Sequence, residues 1–215
     1  MTTYLGLDLG TSGLRALLIS ADGMPVHSAE RHYPVANPHF GWSEQDPADW
    51  IGALGEALGE LREKFPEFAE VKGIGVAGHM HGATLLDAEG AVIRPCILWN
   101  DTRSHAKAAA LDAMPDVRAL SGIIVFPGVT APKLEWVRAH EPENFARVAK
   151  VLLPAAYLNY HLTGDTVADM SDSAGTSWLD VGARGWSEVL LAAGPTIQAN
   201  LDALFSQHAL IGGHA

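Results

Sequence analysis

At 215 residues, with 48% hydrophobic and 18% charged residues, the chain is long enough to bury a real core and has neither a disordered nor a fibrous composition. Its formal net charge of −11 argues against nucleic acid or an anionic membrane as the main partner. The single Cys96 excludes an internal disulfide and fits a reducing cytoplasm, and no apolar run approaches the length of a transmembrane helix.

Residues 3–9 and 14–20 read as β-strands, and Ala21-Asp22-Gly23 is a hairpin signal before a third strand from Pro25 to Tyr33. The first two strands flank the turn Asp8-Leu-Gly10-Thr11-Ser12-Gly13-Leu-Arg15. It combines a carboxylate expected to be buried, two hydroxyls, and backbone N–H groups freed by Gly10 and Gly13, which permit positive φ and close approach. Those are the parts needed to hold a metal ion and nucleotide phosphates. A plain hairpin turn uses the same residues, and the turn alone does not choose between the two.

Residues 34–46 carry Pro34, Pro38 and Gly41 and read as a surface loop. A helix follows, with Asp46 as N-cap, Pro47 at its first position and Asp49 at the positive end of its dipole. Ile51, Leu54, Leu58, Leu61 and Phe65 give it one apolar face, and Pro66 stops it. Gly52, Gly55 and Gly59 lower its propensity and suggest close packing on a sheet. Val71 to Ala77 returns to strand, followed by the loop Gly78-His79-Met80-His81-Gly82 and a short strand at 83–87. Val92 to Trp99 is mostly apolar and ends at Asn100-Asp101-Thr102-Arg103.

Helices are expected at 103–113, 131–140 and 143–148, a buried strand at 151–153, and a helix at 154–163 closed by Gly164. Residues 165–181 are polar, with a strand pair expected there. Asp169, Asp172 and Thr176 form a polar run that suits either a functional loop or a solvated turn. The tail from Ser187 starts as a helix and then loses pattern.

This order is not that of a dinucleotide-binding domain. Gly10-Thr-Ser-Gly13 leads into a strand rather than a helix, and no P-loop lysine follows it. The order suits an α/β domain of the actin-like, ribonuclease-H-like ATPase fold, with a mixed sheet that starts as a β-meander and is flanked by helices.

Several stretches carry a family resemblance. They include Gly6-Leu-Asp8-Leu-Gly10-Thr-Ser-Gly13, Trp42-Ser-Glu44-Gln-Asp46-Pro47 and Met80-His81-Gly82-Ala-Thr84-Leu-Leu-Asp87. Ile97-Leu-Trp99-Asn100-Asp101-Thr-Arg103, Thr130-Ala-Pro-Lys133-Leu, His140-Glu-Pro142, Lys150-Val-Leu-Leu-Pro154 and Asp169-Met-Ser171-Asp172-Ser-Ala-Gly175-Thr176 continue the series. In these the sequence resembles the FGGY family of carbohydrate kinases, and within it the bacterial members that act on D-xylulose. The resemblance runs in order to about Trp186 and fades past residue 195.

The resemblance implies ATP-dependent phosphorylation of D-xylulose to D-xylulose 5-phosphate in a complete enzyme, with Mg²⁺ as cofactor. Residues 1–215 would be the N-terminal sugar-binding domain. A second actin-like domain, absent from this chain, would bind most of ATP. The catalytic base of such kinases lies in a Gly-Gly-Gly-Asp-type segment, which has no match here and is expected beyond residue 215. The fragment alone is expected to be inactive, the complete enzyme to be cytoplasmic, and its partners to be ATP and the sugar, with no nucleic acid, no membrane, and a homodimer within the family's range.

For the site, the resemblance implies that Asp8 holds Mg²⁺ through water and positions the phosphates. Gly10, Thr11 and Ser12 would meet the phosphates. Arg15 would offset γ-phosphate charge, or be an ordinary surface arginine. Met80 and His81 would contact the sugar partly through backbone; the ordinary alternatives are a core methionine and a structural histidine. Trp99 would stack on the carbon skeleton or simply end a buried strand. Asn100, Asp101 and Arg103 would fix hydroxyls or open the next helix. His79 departs from the glutamine common in relatives, beside the sugar-contacting pair. A His79–His81 metal pair lacks further ligands nearby. Two other readings remain: a sister kinase for ribulose, gluconate or glycerol, and a non-catalytic sugar-binding module should 215 residues be the natural length.

Overall fold

The computed structural model describes residues 2–193 and 209–211. The elements run β1 (Thr3–Leu9), β2 (Gly13–Ser20), β3 (Pro25–His32), β4 (Glu44–Gln45), α1 (Pro47–Lys64), β5 (Val71–Gly78), β6 (Thr84–Leu86) and β7 (Cys96–Ile97). They continue with α2 (His105–Asp112), α3 (Val117–Ser121), α4 (Thr130–His140), α5 (Pro142–Arg147), β8 (Lys150–Leu152) and α6 (Pro154–Thr163). Last come β9 (Val167–Asp169), α7 (Met170–Ala174), β10 (Leu179–Asp180), β11 (Gly185–Trp186), α8 (Glu188–Ala192) and β12 (Ala209–Ile211). The chain divides into two compact units, Met1–Val35 with Asp46–His79, and Ala36–Gln45 with Met80–Ala215.

The first unit is a mixed sheet of order β3-β2-β1-β5. β1, β2 and β3 pair antiparallel as the expected meander, and β5 lies parallel to β1. A parallel neighbour requires a crossover, which α1 supplies. Alternation sends Leu5, Leu7, Leu9, Leu14, Ala16 and Leu18 to one face, where all are buried. α1 packs on β2 and β3. Its Asp46 cap accepts from the Ala48 N–H at 2.9 Å, and Arg62 and Lys64 close its negative end.

The helix is rotated slightly from the face its leucines suggest. The buried stripe is Trp50, Ala53, Leu54, Ala57 and Leu61, with Ile51, Leu58 and Phe65 at its margins. Trp50, in the first turn, has the largest side chain of the stripe and is fully buried. The three helix glycines do not pack on the sheet: a Cβ at Gly52, Gly55 or Gly59 would meet nothing within 4 Å. The alanines at 53 and 57 provide the close approach instead.

The second unit is helical, with two-stranded pairs β4–β7, β6–β8, β10–β11 and β9–β12. Its core includes Leu85, Ile97, Val129, Leu134, Val137 and Trp178. Three features depart from the sequence reading. The loop at 34–46 contains β4, which is too short to show a period. α3 was not anticipated; its five residues, opening at Asp116 in the left-handed region, carry no repeat. The two strands of 165–181 do not pair with each other, because α7, capped by Asp169, separates them; β9 pairs with β12 and β10 with β11. α8 bears out the start of the expected terminal helix, with Ser187 as its cap; apart from β12, the weakly patterned remainder of the tail lies outside the described residues. Among the described residues no helix is long and apolar enough to cross a membrane.

The open positions on α1 give a direct test. Gly55→Ala should raise stability by about 0.5–1 kcal/mol, read as a higher urea midpoint at unchanged slope. A lower midpoint would show that the added Cβ meets a neighbour.

Candidate functional site

In the first unit, the glycine-rich turn links β1 to β2, with Asp8 opposite Arg15 in the register. Asp8 is exposed rather than buried, because it sits on the sheet face that α1 leaves open. Its carboxylate makes no hydrogen bond or ion pair among the described residues. Gly10 and Gly13 are not at positive φ. Close approach is what fixes Gly13: a Cβ there would stand 2.6 Å from the Arg31 carbonyl. The turn is held from behind by Gly10 N–H donating to Gly13 O at 2.9 Å and by the Tyr33 hydroxyl donating to Gly10 O at 2.6 Å. Burial, and then the Asp8 charge, keeps that hydroxyl protonated far above the usual phenol range. Arg15 is exposed and ion-paired to Glu30 at 3.0 Å.

A lone carboxylate with adjacent hydroxyls fits Mg²⁺, which keeps several waters and takes its other oxygens from phosphate. Among the described residues no three His, Cys, Asp or Glu side chains cluster as a metal site. The His79 ring instead packs edge-on against Trp50 at 5.3 Å, inside the first unit.

In the second unit, His81 sits at φ 64, and the Gly82 N–H donates back to Met80 O at 2.8 Å. This is the strained γ-turn of positive φ. The His81 carbonyl accepts from Lys133 Nζ at 2.7 Å and from Thr130 Oγ at 3.2 Å. Its ring Nδ1 lies 2.8 Å from the Gly175 carbonyl, and its ring makes a T-shaped contact with that of Phe126. A carbonyl partner requires Nδ1 to carry the proton, which leaves Nε2 as an acceptor on a neutral ring. Burial holds the His81 pKa below the usual histidine value; Lys133 adds to this, and the Gly175 bond opposes it. Met80, Trp99 and Phe126 are 53%, 42% and 45% exposed, apolar surfaces left open to a ligand.

Asn100 is exposed and lines an open hollow with Asn37, Phe40 and Trp42. Asp101 and Arg103 lie inside the unit. Asp101 accepts from the Ser43 N–H at 2.6 Å, the Arg103 N–H at 2.9 Å and the Arg103 guanidinium at 2.7 Å. Arg103 also pairs with Glu44 at 2.6 Å and stacks 3.6 Å over Trp42. Glu44 in turn pairs with Arg94, which reaches Glu141 at 3.1 Å. These charges saturate one another, and neither residue caps α2, whose N-cap is Ser104.

The segment from Asp169 to Thr176 is not a solvated turn. Ser173 and Thr176 are buried, and Thr176 O accepts from the Ala131 N–H at 3.0 Å. Burial, with Asp169 beside it, pushes the Asp172 carboxyl up to about 7. Sequence reasoning missed Phe126, and it left Lys133 without a role although Thr130-Ala-Pro-Lys133 stood among the matching stretches. Lys133 is fully buried, and burial pulls its pKa down to about 7. A lysine inside an otherwise buried helix face was the available signal.

Residues 3–213 match the family model for the FGGY family of carbohydrate kinases, N-terminal domain. The chain is 45% identical over 210 residues to the xylulose kinase of Escherichia coli, covering 97% of this chain and 43% of that protein. It is 47% identical over 203 residues to the xylulose kinase of Klebsiella pneumoniae, covering 94% and 42%. Among solved structures, a protein described as a xyloylose kinase from Brucella ovis superposes with a TM-score of 0.90 at 56% identity, covering 99% of this chain and 43% of that one. The xylulose kinase of Rhodospirillum rubrum superposes at 0.85 with 32% identity, covering 90% and 40%. The chain belongs to the FGGY family of carbohydrate kinases and has the actin-like ATPase fold of these neighbours. It spans 42–43% of the length of these curated relatives.

Two outcomes follow from the geometry. Asp101→Ala leaves buried Arg103 with Glu44 as its one carboxylate and the Ser43 N–H without its acceptor, and should cost about 2–3 kcal/mol of unfolding free energy, read from denaturant titration. Asp172 has a raised pKa, so its contribution to stability is present below about pH 4 and is lost as pH rises through about 7. Between about pH 4 and 7 the wild type should therefore lose unfolding free energy relative to Asp172→Asn as pH rises; parallel profiles, or a wild type that gains on the variant, would refute this.

Proposed function

We propose that the complete protein transfers the γ-phosphoryl group of ATP to the terminal hydroxyl of D-xylulose, giving D-xylulose 5-phosphate. Residues 1–215 would be its N-terminal, sugar-binding domain, and a second domain would bind most of ATP and carry the catalytic base. The observation that carries the reading is end-to-end likeness, at 45–56% identity, to proteins described as xylulose kinases, joined to an open apolar surface beside a neutral histidine acceptor.

Phosphoryl transfer asks for positioning and charge neutralisation more than covalent chemistry. In this reading Asp8 would hold Mg²⁺, which would supply neutralisation of phosphate charge. Gly10, Thr11 and Ser12 meet phosphate oxygens through N–H and hydroxyl groups, with Arg15 free to leave Glu30 for them. His81 Nε2 accepts a hydrogen bond from a sugar hydroxyl. Met80 and Trp99 cover the carbon skeleton, and Asn100 supplies a polar contact. Asp101 and Arg103 act one step back, since their charges are already paired; they hold the Trp99–Asn100 segment. The net charge of −11 and the buried Cys96 agree with a cytoplasmic enzyme of small molecules.

The test is a coupled assay on full-length protein. ADP release should be fastest, by kcat/KM, with D-xylulose against D-ribulose, gluconate and glycerol; a different preferred substrate would replace the sugar assignment. Asp8→Ala should lower kcat by about a hundredfold or more, and an unchanged rate would remove Asp8 from the site. Because the His81 pKa is lowered, the sugar KM should stay flat down to the ordinary histidine range and rise only below it, where protonated Nε2 can no longer accept.

A further inference from the structure

Lys133 stands on the first turns of α4 with no exposed surface, and among the described residues it makes no ion pair. Its Nζ donates to two main-chain carbonyls, His81 O at 2.7 Å and Gly128 O at 2.5 Å. Those carbonyls belong to two different loops. The first is the γ-turn that presents Met80 and the His81 ring. The second follows Phe126, whose ring meets that of His81. Gly128 is itself wedged in place, since a Cβ there would lie 2.3 Å from the Phe126 ring and 2.3 Å from the Trp99 carbonyl. One amine therefore ties together the segments carrying His81 and Phe126, and the Trp99 carbonyl packs against the second of them. An unbranched apolar side chain of similar length would fill the same volume without the cost of burying an amine. What lysine adds is the donors, and Thr130 Oγ reinforces one of the same bonds.

We infer that Lys133 is a positioning residue that fixes the His81 turn and the Phe126–Gly128 loop at the spacing the sugar requires. It touches neither sugar nor phosphate; it acts through the two carbonyls. The inference rests on the sugar-kinase reading for its consequence, while the clamp itself is a property of the fold. Removing the amine leaves ATP handling alone and loosens sugar recognition.

The test uses the full-length protein as wild type, Lys133→Met and Thr130→Val. In Lys133→Met the KM for D-xylulose should rise on the order of tenfold, with kcat within about threefold and the KM for ATP unchanged. Thr130→Val should shift the sugar KM in the same direction by a smaller factor. Amide hydrogen exchange should speed up in peptides covering residues 78–86 and 124–130 in both variants, with the α1 peptide unaffected. An unchanged sugar KM in both variants, or an ATP KM that moves as much as the sugar KM, overturns the inference. Should Lys133→Met fail to fold, Thr130→Val decides by the same two readouts. Should the wild type release ADP with no sugar, the functional reading fails, and the exchange of the two loops alone decides the clamp: unaltered exchange refutes it.

Discussion

A buried carbonyl must be hydrogen-bonded, and the main chain at His81 makes that condition hard to meet. The γ-turn bends the chain so sharply that neither a helix nor a ladder can supply a donor. Backbone held this way costs on the order of 1–3 kcal/mol and persists only where its surroundings over-determine it. Here they do: Lys133 and Thr130 donate to the His81 carbonyl, and Gly175 fixes the ring. The exposure of Met80 and the availability of His81 Nε2 follow from that arrangement. A relaxed loop at the same place would leave the imidazole free to rotate, and the proton would no longer be assigned to Nδ1.

The same logic governs the charges of the second unit. Two arginines and three carboxylates occupy a largely buried cluster of Arg94, Arg103, Glu44, Asp101 and Glu141. Desolvating such groups is expensive, and the mutual attraction offsets it only where geometry and hydrogen bonding are good. Asp101 meets Arg103 with both oxygens and takes a main-chain N–H as well, and Trp42 covers the guanidinium face. The cluster joins the 43–44 segment to the 101–103 segment. It thereby fixes the stretch that displays Trp99 and Asn100, at whatever net gain or loss in stability.

Local chemistry was legible where a residue's role is set by its sequence neighbours. The Asp46 cap, Pro47, the meander and the Gly164 stop are all of that kind, and each appears where its residues predict. Roles set by distant contacts were not legible. Nothing beside Arg103 in the sequence tells that Glu44, nearly sixty positions away, will share its charge, so the sequence offers only a hydroxyl contact or a helix opening where the structure has a buried ion pair. Asp8 was expected buried because apolar residues flank it; alternation in a sheet covered on one face puts it outward instead. Phe126 gave no local signal, since it lies in a short irregular stretch and gains meaning only from the ring it touches.

The first unit poses a problem of charge that the kinase reading must solve. The chain is acidic overall, and the β1–β2 turn offers little positive charge: Arg15 is neutralised by Glu30, and Asp8 adds a negative charge with no hydrogen-bond or ion-pair partner among the described residues. A triphosphate approaching that turn unaided would meet a repelling carboxylate. Backbone N–H groups and the hydroxyls of Thr11 and Ser12 can orient phosphate oxygens, but their dipoles do not cancel a full charge close by. A divalent cation changes the sign of the local balance, since one carboxylate and one Mg²⁺ together leave a net positive charge facing the phosphates. On this account the exposed, unpaired state of Asp8 is a requirement. Had it been buried against Arg15 in the usual cross-strand pair, the turn would have no free carboxylate for the metal that the proposed function calls for.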